Sequence, residues 1–237
     1  MDVFTMVSKH KPEHGLAELK SFIESVKLDA QALSKPSTET KGVYKKFYIL
    51  LIFDYLLQGN IQGADERVYA KEAVSDMSHG FFLSCVGLYK PARTSIRSAI
   101  ENLLRFFLLH RGVDALSINS VFDLFDEANT QFSSEPKQKS RIGKLRGVYK
   151  ELCKTVHSSS ADYMNLEVPF GTMLKFDRKK YQINVDVVRE SCTAFTEILF
   201  VEFYDLVLKS HHSHRDLISE GVAKSVRREA IENIQEK

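Results

Sequence analysis

The segment RIGKLRGVYKELCKTVHSSS, Arg141 to Ser160, sets two cations and an imidazole along one edge of a helix. Ile142, Leu145, Val148, Tyr149, Leu152 and Val156 recur at helical spacing and make one apolar face. Arg146, Lys150 and His157 line the edge of that face, with His157 at the helix end, just before a serine run. An imidazole changes charge near neutral pH, so His157 can accept and return a proton. A cation beside it can stabilise a phosphorane-like or oxyanion charge. Metal-independent cleavage of RNA needs that pair, with the ribose 2′-hydroxyl as internal nucleophile. A plainer role is also open, because a protonated histidine at a helix C-terminus is favoured by the helix dipole and can cap carbonyls.

A second strip lies in SIRSAIENLLRFFLLH, Ser95 to His110. Thr94, Arg97, Ser98, Glu101, Asn102 and Arg105 fall on one arc at about 100° per residue. Ala99, Ile100, Leu103, Phe106 and Phe107 fall on the other. Arg97, Glu101 and Arg105 therefore form either a solvated i,i+4 ladder or a polar strip held over a cleft. Both ends of the segment read as buried, since FFLSCVGL lies just upstream and Leu108 and Leu109 continue the polar arc. HHSHRD, His211 to Asp216, offers three histidines. With no matching cysteine or acidic cluster, capping or adventitious binding is the simpler reading, and no metal site is expected. Glu190, Glu197, Glu202 and Asp205 are a solvated stripe or counterions. Phosphate loops, Walker motifs and G-x-S-x-G are missing, which leaves ATP-driven chemistry and hydrolase triads without support.

Long helical patterns must position these groups. Gly15 to Leu33 is amphipathic, with Leu16, Leu19, Phe22, Ile23, Val26 and Ala30 on one face. Gly42 to Gln58 is apolar nearly all round and is expected at the centre. Ala64 to Leu88 follows, and Pro91 restarts the chain in the first turn of a helix ending near Arg111 and Gly112. Asn119 to Asn129 is a short helix, Thr130 to Ser140 a polar linker, and Arg141 to Ser158 a helix. Ala161 to Asn184 carries Pro169 and short alternating stretches, which predict an irregular segment or small β-hairpin. Val185 to Lys209 is a Phe-rich helix, and Arg215 to Lys237 a charged, peripheral or partner-facing one. The expected fold is an all-α multi-helix bundle over 1–210 with a charged C-terminal helix or tail over 211–237.

The 237 residues can bury a sizeable core, and 33 Lys and Arg against 31 Asp and Glu leave a net charge of +2. Global charge does not call for nucleic acid; only local patches could. Cys85, Cys153 and Cys192 are an odd, unspaced set, which argues against a disulfide framework and a zinc site and points to reduced core residues. The opening MDVFTMVSKHKPEHG lacks a signal-type apolar core, and FYILLIFDYLL is too short to span a bilayer. A soluble, cytoplasmic chain without a membrane partner is expected.

An all-helical bundle with a helix reading RSAIENLLRF, followed by one reading YKELCKTVHSSS, resembles the HEPN (higher eukaryotes and prokaryotes nucleotide-binding) superfamily. The likeness covers about Lys41 to Lys209 and is to the bacterial branches found near defence and toxin genes. That family's signature is an arginine, four to six residues, then a histidine near a helix end. Its active members are endoribonucleases that dimerise to form a composite site. Lys150 to His157 has six intervening residues and the right setting, with lysine in place of arginine. An ammonium lacks the planar guanidinium fork. Arg105 to His110 also has a permitted spacing, but its spacer FFLL is apolar and the two side chains diverge by about 140° on a helix.

The resemblance and the residues together imply catalytic roles for His157 and Lys150. They imply phosphate or RNA contacts by Arg146, Arg97 and Arg105, an orienting role for Glu101, and no cofactor. RNA and a second copy of the chain are the implied partners. The rival expectation is a non-catalytic interaction protein whose C-terminal helix docks a protein partner.

Overall fold

The computed structural model describes residues 12–25, 31–34, 36–156 and 174–235. Among them are eleven helices and no strand, an all-α multi-helix bundle. In chain order they are α1 Pro12–Ser25, α2 Gln31–Ser34, α3 Thr38–Asn60, α4 Ala64–Cys85, α5 Tyr89–His110, α6 Val121–Gln131, α7 Pro136–Val156, α8 Arg178–Glu202, α9 Tyr204–Lys209, α10 His212–Gly221 and α11 Lys224–Gln235.

Helices α3 and α8 pack together at the centre. The all-round apolarity of α3 is answered by burial on nearly every side, including the whole run from Phe47 to Asp54. Ser37 starts α3 by accepting from the Thr40 amide (3.1 Å), and Asp177 starts α8 by accepting from the Lys179 and Lys180 amides (2.9 and 3.0 Å). Helices α4 and α5 form a hairpin so tight that a Cβ at Gly80 would stand 2.5 Å from Ile96. Gly87, between them, adopts φ +83° and lets the backbone pass against Lys175, where a Cβ would meet the carbonyl oxygen at 2.9 Å. Helix α7 lies on α5 and α8, α6 closes over α5 and α7, α10 packs on α3, and α11 packs on α8.

Four local expectations are corrected. The interval 161–184 is not all insertion: Arg178 to Asn184 begins α8, driven by the Asp177 cap, while 161–173 lies outside the described residues. The polar stretch 130–140 is no linker. Its one aromatic, Phe132, is buried and lies 4.1 Å under the Arg111 guanidinium, and α7 starts at Pro136 with Gln138 fully buried. Phe22 is 53% exposed, its ring tilted against that of Phe82 at 6.0 Å between centroids, leaving Ile23 to bury that turn of α1. The helix expected to run to Lys209 breaks at Phe203, whose ring packs on Phe106 and His110 instead.

The C-terminal segment packs into the bundle. Arg141 of α7 donates from Nη1 and Nη2 to the Glu229 carboxylate of α11 (2.8 and 2.7 Å) and from Nε to Glu197 of α8 (3.3 Å). All three helices are thereby joined through one buried guanidinium. Burial alone would push its pKa down, but the bonds and charges of Glu229 and Glu197 outweigh that and raise it. Arg111 plays a similar part, joining Glu202 and Glu135 at 2.8 and 2.9 Å. Among the described residues no helix is long and apolar enough to cross a membrane.

Candidate functional site

The structure places Arg97 of α5 and Arg146 of α7 against neighbouring aromatic rings where α5, α6 and α7 meet. Lys150 stands exposed on α7 and has no ion pair among the described residues. Arg146, one turn earlier, is half-buried beside the rings of Phe122 and Phe125 and donates to the exposed Asp126 carboxylate at 2.5 Å. Arg97 covers the Tyr149 ring with its guanidinium 5.5 Å from the centroid. Burial pushes the Tyr149 hydroxyl up in pKa, the Arg97 charge pulls it down, and Cys153 and Glu101 add to the rise. These four groups therefore share one neighbourhood. His157 follows Val156, the last residue of α7, in the chain and lies outside the described residues.

Arg105 and Glu101 serve another purpose. Arg105 donates from Nη1 to the Ala115 carbonyl (2.6 Å), which pins the α5–α6 connection, and from Nη2 to Glu101 (3.2 Å). The strip on α5 is thus half-buried, with one i,i+4 rung formed between Arg105 and Glu101. The two candidates that the structure brings closest in kind are Arg97 and Arg146, held on the same aromatic group of Phe122, Phe125 and Tyr149.

The site also contains a rung that sequence reasoning missed. Arg93 precedes Arg97 by one helical turn and continues the same strip. Its Nε donates to Asn184 Oδ1 of α8 at 2.9 Å, and its Nη1 donates to Thr155 Oγ1 in the last turn of α7. Asn184 is fully buried, and its amide donates to the Tyr89 carbonyl (3.0 Å) and Ser84 Oγ (3.3 Å), so its carbonyl is aimed at Arg93. Both partners of Arg93 are neutral. Burial pushes the Arg93 pKa down, and the more distant Glu151 charge only partly offsets it. The signal for Arg93 was present in the i,i+4 repeat from Arg97; nothing in YQIN marked Asn184.

Other candidates resolve as packing or capping. His211 caps α10 by accepting from the Ser213 amide at 3.4 Å, and its ring stands 4.1 Å from that of His212 and 6.1 Å from that of His214. Among the described residues no group of three or more histidine, cysteine or carboxylate side chains is placed to hold a metal ion. His110 pairs with Glu66 at 3.1 Å and packs on Phe106 and Phe203. Cys85 and Cys192 are fully buried, which pushes both thiols up to about 12 and makes them unreactive; Cys153 is half-buried. Neither a protein-family model, nor a curated protein, nor a solved structure matches the chain.

Proposed function

We propose that the protein is a cytoplasmic, HEPN-like effector of bacterial defence or toxin type that cleaves RNA without a metal ion. His157 moves the proton of the ribose 2′-hydroxyl, and Lys150 stabilises charge on the phosphate. The observation that carries this reading is the setting of α7. Lys150 is exposed on α7 with no ion pair among the described residues and precedes His157 by seven positions in the chain, and Arg93 and Arg97 hold Thr155 and Tyr149 of the same helix. Arg146 contributes field more than contact, because Asp126 already holds it. Arg97 steadies Tyr149, and Arg105 with Glu101 fixes the frame.

The Lys150 series tests the reading. Lys150→Ala is expected to slow turnover of a fluorescent RNA at least tenfold through lost charge stabilisation. Lys150→Arg is expected to match or exceed the parent, because a guanidinium meets phosphate oxygens with a two-pronged fork. Equal rates in all three proteins would remove Lys150 from the site.

The proposed site is composite, so the protein is expected to be a homodimer or higher oligomer. Light scattering at micromolar concentration should give a mass above the 27.1 kDa of one chain. A clean monomer across a wide concentration range would oppose a composite site.

A second reading has one observation in its favour. Leu145, Val148, Val187 and Ala194 floor an apolar groove of about 540 Å³ between α7 and α8, and Gly143 and Gly147 stand open beside it. A non-catalytic interaction protein would use such a groove. On this reading His157→Ala leaves all biological activity intact.

A further inference from the structure

We propose that Arg93, held by Asn184 and Thr155 at the meeting of α5, α7 and α8, is the centre of a binding subsite for a phosphoryl oxyanion. The inference rests on the reading of the α7 terminus as a phosphate-handling site and names the group that grips the phosphate there.

Unspent donors are the first observation. A guanidinium has five N–H groups and no acceptor. Arg93 spends one on Asn184 and one on Thr155, and among the described residues the other three have no partner. Asn184 takes the Nε–H and Thr155 one Nη1–H, so among the described residues all of Nη2 and the second Nη1–H stay free. Those two nitrogens are the fork that receives two oxygens of one phosphate.

Charge gives the second line. The other deeply set arginines of this protein are neutralised: Arg141 by Glu229 and Glu197, Arg111 by Glu202 and Glu135. Arg93 is partly buried among neutral partners, with no carboxylate within ion-pair distance among the described residues. A desolvated cation without a counterion is costly to keep, and an anionic ligand supplies what is missing.

Preorganisation is the third. Asn184 cannot turn its carbonyl away without leaving its buried amide without the Tyr89 and Ser84 acceptors. Ser84 is itself anchored to the Gly80 carbonyl at 2.7 Å. The guanidinium plane is therefore fixed before any ligand arrives, which spares the ordering cost of binding. Thr155 ties the same plane to the last turn of α7.

Calorimetric titration of the full chain with inorganic phosphate, and with a short 2′-O-methyl RNA that cannot be cleaved, tests the proposal. The parent is expected to bind, and Arg93→Met to bind ten- to hundredfold more weakly. Arg93→Lys keeps the charge but not the fork and should lose about tenfold; it carries the test if circular dichroism shows Arg93→Met unfolded. Binding of the oligonucleotide alone assigns the subsite to a nucleic-acid backbone, and binding of both assigns it to phosphate generally. Unchanged affinity in the Arg93 variants, or no binding of either probe by the parent, overturns the subsite. A parent that binds phosphate through Arg93 yet cleaves no RNA keeps the subsite and removes the catalytic reading. Cleavage that survives in an Arg93→Met protein with parental affinity does the reverse.

Discussion

Glu229→Ala is expected to destabilise the protein by about 3 kcal/mol, among the largest effects of any single substitution outside the apolar core. The Arg141 and Glu229 side chains are only 7% and 8% exposed, and two parallel bonds join them. Breaking such a pair from one side leaves a buried charge without its partner, at a cost of about 3–5 kcal/mol. Glu197 stays within 3.3 Å of Arg141 and supplies part of the lost charge, which places the expected loss at the lower end. For a chain of this size that corresponds to a Tm about 6–12 °C lower. Glu229→Gln, which keeps one acceptor, should fall between. A thermal denaturation curve for Glu229→Ala that overlays the parent's would show that α11 is not held as described. The same network predicts that deleting α11 damages the bundle itself, whereas an appended docking helix could be removed without loss.

The architecture was legible where periodicity was strong. The all-round apolarity of 42–58 announced the central helix, and the two arcs of 95–107 announced which side of α5 is buried. Ends and turns were less legible, for a physical reason. Burial of one residue can decide a polar stretch: Phe132 under Arg111 holds together a segment whose composition reads as linker. A single cap can do the same, as Asp177 starts α8 seven residues before the apolar pattern becomes clear. The charged tail misled because Glu229 and Arg141 are both hydrophilic in any average, and only their pairing buries them.

The site was legible in part. Helical spacing put Arg97 and Arg105 on one strip, where both are half-buried, and Arg146 and Lys150 on another, where the first is half-buried and the second exposed. It did not show that Asp126 neutralises Arg146 or that the Ala115 carbonyl engages Arg105, since both partners come from a different element. Arg93 escaped notice because its distinguishing property is that no carboxylate among the described residues pairs with it. That property exists only once α7 and α8 are in place around it.

His157→Ala is expected to reduce RNA cleavage by about a hundred- to ten-thousandfold, the contribution of a positioned general acid–base group. The arginines of the seam cannot give or take a proton at neutral pH, and a methyl group cannot either. The loss should be one of turnover per folded molecule, with the helical circular dichroism of the variant matching the parent's. His110→Ala supplies the contrast. Its ring packs on Phe106 and Phe203 and pairs with Glu66, so its loss should lower stability and leave turnover per folded molecule near the parent's.

Turnover of a fluorescent RNA by the parent and by His157→Ala, each in EDTA with no added metal, tests the central claim most directly. The account predicts cleavage by the parent that EDTA does not diminish and its near-complete loss in His157→Ala. Parental activity in His157→Ala, or loss of the parent's activity in EDTA, would contradict it.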